Sequence, residues 1–339
     1  MFKSVFLAAL LFLQAPTVAP AKFDSSRAWS DLRQVVAFGP RPAGSPAIEQ
    51  TRQYIKSQLA AAKVAVREQA WDDTTPLGPV HMVNLIATIP GASKDRIIIA
   101  GHFDTKPYRQ IRFVGANDGG SSTAFLLEMA RVLATRKNPL TIELLFLDGE
   151  EATGEWQGTD HTYGSRHYVR AGMRDGSLAT LKAFILVDMI ADRDLKMRRD
   201  MNSTPWLTDI VWNAARAQKL GDYFSNERTE IEDDHQPFAE AGIPALDIID
   251  LELSESRELL ITRALDACVG HACGQRWVTL PRAHNEDDRH SRLDVEDVLL
   301  GASATIVTTK IDDHDLIDIA DDDPVVVAQH ARGEAGFEH

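Results

Sequence analysis

Cysteine is almost missing from this chain: Cys268 and Cys273 are the only two among 339 residues. At most one disulfide can form, so the fold must rest on a buried apolar core, for which the 44% apolar content suffices. Basic charge is also short. Thirty-six Lys and Arg against 50 Asp and Glu give a formal net charge of -14, which argues against nucleic acid and anionic membranes as partners and is compatible with cationic peptides. There is no internal repeat, and after the N-terminus no apolar run reaches the roughly 20 residues that a membrane span needs.

What is present begins with a targeting pattern. Lys3 precedes the apolar run Val5 to Leu13, and Ala19-Pro20-Ala21 offers a small-residue cleavage site before Lys22. The expectation is a signal peptide over 1–21 and a secreted or periplasmic protein that meets the membrane only in transit; the alternative is an uncleaved anchor. In an exported chain the close Cys268 and Cys273 suit a local disulfide, with free thiols or a small metal site around His271 as the alternatives.

Helical periodicity marks Ser26 to Val36 and Ile48 to Ala62, separated by the turn-rich Gly39-Pro40-Arg41-Pro42-Ala43-Gly44-Ser45. Strands are expected over Val64 to Trp71, Met82 to Ile89, Arg96 to Ala100, Thr141 to Leu147, Ala183 to Val187 and Ala245 to Ile249. Helices are expected over Ser122 to Thr135, Gly164 to Ala171, Trp206 to Ala217 and, closing the domain, Leu293 to Lys310 with Asp294 as N-cap. Leu251 to Arg282 has no clear period and reads as an inserted excursion; 312–339 reads as an acidic flexible tail. The alternation implies a single α/β domain over 22–311, with a mostly parallel, mixed central sheet and helices on both faces.

In such sheets ligand-binding groups gather just past the carboxyl ends of strands. Three apolar runs end that way: at His102, at Glu150 with Glu151, and at Asp188. Asp118 sits in the turn-like Gly115-Ala116-Asn117-Asp118-Gly119-Gly120, where its bland reading is a turn residue or helix cap. Carboxylates and imidazoles are ligand types that zinc takes. A glutamate pair past so apolar a strand lets one side chain bind metal and leaves the other free as acid or base.

The order His102-x-Asp104, Gly115-Ala116-x-Asp118, Glu150-Glu151, Asp188-Met189, Asp234-His235-x-Pro237-Phe238 and a late histidine resembles the zinc aminopeptidase superfamily. Asp148-Gly149-Glu150-Glu151-Ala152, Trp156, Asp160-x-x-Tyr163-Gly164-Ser165-Arg166-His167 and Asp233-Asp234-His235 resemble its animal-type glutaminyl cyclases. The resemblance spans roughly Phe38 to Ile306, apart from the insertion. It implies a monomeric acyltransferase that closes N-terminal glutamine of peptides or proteins to pyroglutamate, with one zinc per chain. It also implies Asp118, Glu151 and His284 as zinc ligands, Glu150 as proton shuttle, and Asp188 and Asp233 as its acidic partners. Trp156 becomes a wall of the substrate pocket. His102 is grouped on the substrate side, although two-zinc relatives use this position as a metal ligand. His290 competes with His284, and Ala283 stands where cyclases usually carry Trp, which leaves Trp277 as a candidate lid. The rival readings are a two-zinc aminopeptidase, with His102, Asp118 and Asp188 around a second metal, and a zinc-bearing binding protein without catalysis.

Overall fold

The computed structural model describes residues 21–192 and 195–251. The signal segment, the excursion with Cys268 and Cys273, Trp277, Ala283, both candidate histidines, the closing helix and the tail lie outside the described residues, apart from Ala21 and Leu251.

Two helices open the chain. In α1 (Ser25–Ala37) the Asp24 side chain caps the N-terminus by accepting from Arg27 N at 3.2 Å. Ser45 caps α2 (Pro46–Ala61) in the same way through Ile48 N, and Pro46 occupies the first turn, where its missing N–H costs nothing. Strands β1 (Ala65–Thr75) and β2 (Gly78–Ile89) form an antiparallel hairpin, and β3 (Ser93–His102) follows. Then α3 (Gly120–Leu133), β4 (Leu140–Leu147), α4 (Tyr163–Asp175) and β5 (Leu181–Asp188) alternate. The short β6 (Met197–Asp200), α5 (Pro205–Ala217), β7 (Phe224–Thr229), α6 (Gln236–Glu240) and β8 (Ala245–Ile249) complete the described chain.

The sheet order is β1-β2-β4-β3-β5-β8. The β4-β3, β3-β5 and β5-β8 pairings are parallel, and β1-β2 and β2-β4 are antiparallel. Alternation along β3 feeds two cores. Ile97 and Ile99 face α2, α3 and α5, among Ile55, Leu126 and Trp212; Ile98 and Ala100 face α4 and α6, among Tyr168, Phe184 and Phe238. The expected mixed sheet with helices on both faces is therefore present.

Register decides what the sheet presents. His102 pairs with Leu147, and Ala100 pairs with Leu186, so His102 stands level with Asp188 two residues on. Three neighbouring parallel strands thus release their functional residues at one edge.

β6, β7 and α6 carry no hydrophobic periodicity in the sequence. Met-Arg-Arg-Asp and Phe-Ser-Asn-Glu-Arg-Thr are polar runs without an apolar face, and α6 is five residues long. Pairing of β6 with β7 in a separate two-stranded sheet, not hydrophobic patterning, makes them strands.

Phe184 stacks on Phe238 with ring centroids 3.7 Å apart, and both are fully buried. Phe184→Ala is expected to cost about 3–5 kcal/mol of stability, measured by urea unfolding, whereas Leu77→Ala on the exposed hairpin stays within about 0.5 kcal/mol.

Candidate active site

His102, at the end of β3, is the centre of the site. It is 1% exposed, and four carboxylates surround its ring. Nε2 lies 3.0 Å from Asp118 Oδ1 and 3.2 Å from Asp188 Oδ1; Nδ1 lies 3.4 Å from Asp104 Oδ1 and 3.6 Å from Glu150 Oε2. Burial opposes a charged imidazole, but Asp188 and Glu150, with hydrogen bonds to Asp104 and Asp118, outweigh it and raise the pKa well above the ordinary value. So enclosed, the ring reaches a substrate only through the carboxylates around it.

Asp118 is delivered by the turn before α3. Gly119 there has φ +74°, and a Cβ would sit 2.6 Å from Asp104 O and 3.0 Å from His102 Cε1, so only glycine lets this turn lie against the imidazole. Arg41, from the turn between α1 and α2, is fully buried and braces the same segment. Its guanidinium donates to the carbonyls of Phe103, Val114 and Gly115, and its backbone N–H donates to Thr105 Oγ1. On the other side Asn117 Oδ1 accepts from Ala191 N at 2.7 Å, docking the turn onto the segment after β5. Asp118 keeps 23% of its side chain exposed, and so faces the open side.

Past β4, Glu150 N and Glu151 N donate to the two oxygens of Asp104 at 3.1 and 3.2 Å. Asp104 thereby holds both backbones of the glutamate pair as well as the His102 ring. The Glu151 carboxyl is in hydrogen-bond contact with Asp118. Glu150 faces His102 and feels the charges of Glu151, Asp233 and Asp234. Burial raises both glutamates well above the usual carboxylate range, with Glu151 and the aspartates adding to Glu150, and Asp118 adding to Glu151. Asp233, before α6, is also raised, by burial and then by Asp188 and Asp234. Asp234, which accepts from Ser165 Oγ at 2.5 Å, is pushed up to about 7 by burial.

His102, Asp118, Glu150, Glu151, Asp188 and Asp233 thus come together. Trp156 stands apart, half-buried on the loop after the glutamate pair. His284 is outside the described residues. Asp104, Asp234 and Asp247 belong to this cluster as well, and the sequence assigned none of them a role. Asp104 could have been found from its two-residue spacing after His102. Asp247 could have been found as a charge inside the otherwise apolar Ala245–Ile249; it is fully buried, and burial with Asp233 and Asp188 raises its pKa well above normal.

This donor set fits a divalent metal in two overlapping ways. His102, Asp118 and Asp188 offer ligand atoms within 4.8 Å of one another. Glu151 is buried and Asp118 partly so, and the two carboxyls are in contact, which calls for a proton or a cation between them. Imidazole nitrogen and carboxylate oxygen are zinc ligands, and Asp118 belongs to both sets.

The family model for Peptidase family M28 matches residues 84–307. The chain belongs to family M28. Within M28 it is 31% identical over 263 residues to glutaminyl-peptide cyclotransferase of Bothrops jararaca, covering 66% of this chain and 71% of that one. The crystal structure of Acidobacteriales bacterium glutaminyl cyclase aligns with TM-score 0.66 at 41% identity, over 72% of this chain and 87% of that one. A Zn-dependent exopeptidase from Parabacteroides distasonis aligns with TM-score 0.64 at 26% identity, over 70% of this chain and 88% of that one. M28 membership makes zinc the metal of this donor set.

In the metal-free protein, raised Glu150, Glu151 and Asp233 hold protons that the unfolded chain has released. Metal-free stability therefore falls as pH rises from the ordinary carboxylate range towards these raised values, and a bound cation removes that penalty. Zinc at one fixed concentration, about a hundred times its Kd at pH 8, is expected to raise Tm by roughly 5–10 °C near pH 8 and by clearly less near pH 5.5, measured by calorimetry of chelator-treated protein. An increment that is the same at both pH values refutes this account of the cluster.

Proposed function

We propose that the protein is a zinc-dependent glutaminyl-peptide cyclotransferase that converts an N-terminal glutamine to pyroglutamate and releases ammonia, exported to the periplasm or the medium. The observation that carries the reading is the divided glutamate pair: Glu151 turned to Asp118, and Glu150 turned to His102 and the aspartates. Among the described residues no helix is long and apolar enough to cross a membrane.

Asp118, Glu151 and a late histidine, His284, hold the zinc in this reading. Bound there, zinc supplies Lewis-acid polarisation of the side-chain amide carbonyl and stabilises negative charge on its oxygen. The rest falls to the chain. The substrate's own α-amine attacks the side-chain amide carbon, so a new C–N bond forms and the bond to the amide nitrogen breaks. Glu150 takes the proton that the amine loses and delivers it to the departing ammonia. A carboxylate raised by burial suits both halves of that transfer near neutral pH. Asp188 and Asp233 share hydrogens with the reacting groups, and Trp156 provides an apolar wall for the substrate.

A specific observation favours a second reading. His102 Nε2, Asp118 and Asp188 form a ligand group of their own, the set that a two-metal aminopeptidase uses for its second ion. In that reading the two donor sets, with Asp118 common to both, would hold two metals whose chemistry would be water activation, and the product would be a free amino acid.

Gln-initiated and Ala-initiated dipeptides followed by mass separate the two. Loss of one ammonia from the Gln peptide, with one zinc per chain, is the cyclase result. Splitting of both peptides, with two zincs per chain, is the aminopeptidase result. Glu150→Gln is expected to keep its zinc and lose turnover by about a hundredfold or more; near-normal turnover in that variant disproves the shuttle role.

A further inference from the structure

Another buried histidine lies outside the acidic cluster. His161 is 5% exposed, and its ring lies flat against the Trp156 indole, with centroids 4.4 Å apart and planes 9° apart. Burial lowers its pKa, so the ring is neutral at physiological pH and stacks as a flat aromatic. Its Nδ1 is 3.2 Å from Thr162 Oγ1. Its Nε2 has no hydrogen-bond partner among the described residues and lies 3.5 Å from Oε1 of Glu232, the residue before Asp233.

The backbone holds this imidazole firmly. Thr162 has φ +49°, an unusual conformation for a β-branched residue. It persists because the N–H groups of Thr162 and Tyr163 donate to the carbonyls of Glu150 and Gly149 at 2.7 and 2.8 Å. Arg166 donates to the His161 carbonyl at 2.7 Å. His161 is therefore fixed from the same strand end that places the glutamate pair. Trp156 sits in a loop whose flanking residues, 154, 155, 157, 158 and 159, are all exposed.

We propose that His161 is a positioning residue: its imidazole backs one face of the Trp156 indole and holds the ring in place, leaving the opposite face for the N-terminal residue of the peptide substrate. This rests on the cyclase reading and adds the device that sets the substrate wall. His161 touches none of the reacting groups, so its effect belongs in substrate binding.

The test uses the zinc-loaded full chain and a Gln-initiated dipeptide. His161→Ala is expected to raise KM roughly three- to tenfold, the range an aromatic pair supports, with kcat within about twofold and zinc content unchanged. His161→Phe, which keeps a flat ring but loses the nitrogens, is expected to restore KM to within about twofold, and it carries the test if the alanine variant fails to fold. The Trp156 fluorescence, taken as the difference between each protein and its Trp156→Phe partner, is expected to move to longer wavelength in His161→Ala. An unchanged KM, a loss confined to kcat, or a phenylalanine variant as impaired as the alanine one overturns the proposal while the cyclase reading stands. If the unmodified protein releases no ammonia, the cyclase reading fails, and an unchanged Trp156 emission then overturns the clamp on its own.

Discussion

Crowding of like charge in a largely buried place is the constraint on which the rest of this structure depends. His102 is met by Asp104, Asp118, Glu150 and Asp188, and behind them stand Glu151, Asp233, Asp234 and Asp247. Two imidazoles, His102 and the fully buried His235 that lies 3.8 Å from Asp247, cannot neutralise so many carboxylates. The cluster is stable only with protons retained well above the normal carboxylate range or with a cation among them. A site that needs positive charge can take a metal, and a site that retains protons near neutral pH can move them.

The fold supplies the rigidity that such crowding demands. Parallel pairing of β4, β3 and β5 brings Leu147, His102 and Asp188 to one level, so the acids after each strand converge without long loops. Arg41 then ties the segment after β3 to the turn before α3 through four hydrogen bonds. Arg52 of α2 and Val83 N of β2 both donate to Asp148 Oδ2, fixing the end of β4 from the other side. These buried contacts resist the repulsion that would otherwise spread the acids apart.

The strand-end acids were legible because apolar runs as clear as Ile97-Ile98-Ile99 and Leu144-Leu145-Phe146-Leu147 announce where a strand stops, and the next polar residue is then placed by topology. Asp118 was legible through its glycine-rich turn. Asp104 and Asp247 were not singled out, because their meaning depends on three-dimensional neighbours: Asp104 on the amides of Glu150 and Glu151, 46 and 47 residues away, and Asp247 on the adjacent strand. The His161 and Trp156 stack was hidden for the same reason. Five residues apart on a polar loop, the two follow no period that signals contact. β6 and β7 were hidden because polar strands carry no hydrophobic alternation.

Asp104 also explains how two adjacent glutamates come to have different tasks. Its two carboxylate oxygens each accept one of two successive N–H groups, from Glu150 and Glu151. That bidentate grip aims both amides at one point, and their side chains must then leave in different directions. One goes to Asp118, where the proposed reading would have a cation shared; the other goes to His102 and the aspartates, where that reading would have a proton shared. Were the two carboxyls free to exchange places, both would be drawn to the cation, and none would remain to carry hydrogen. The divergence of the two glutamates, on which the proposed division into ligand and base rests, is thus a property of the backbone, imposed by a single buried aspartate at the end of the neighbouring strand.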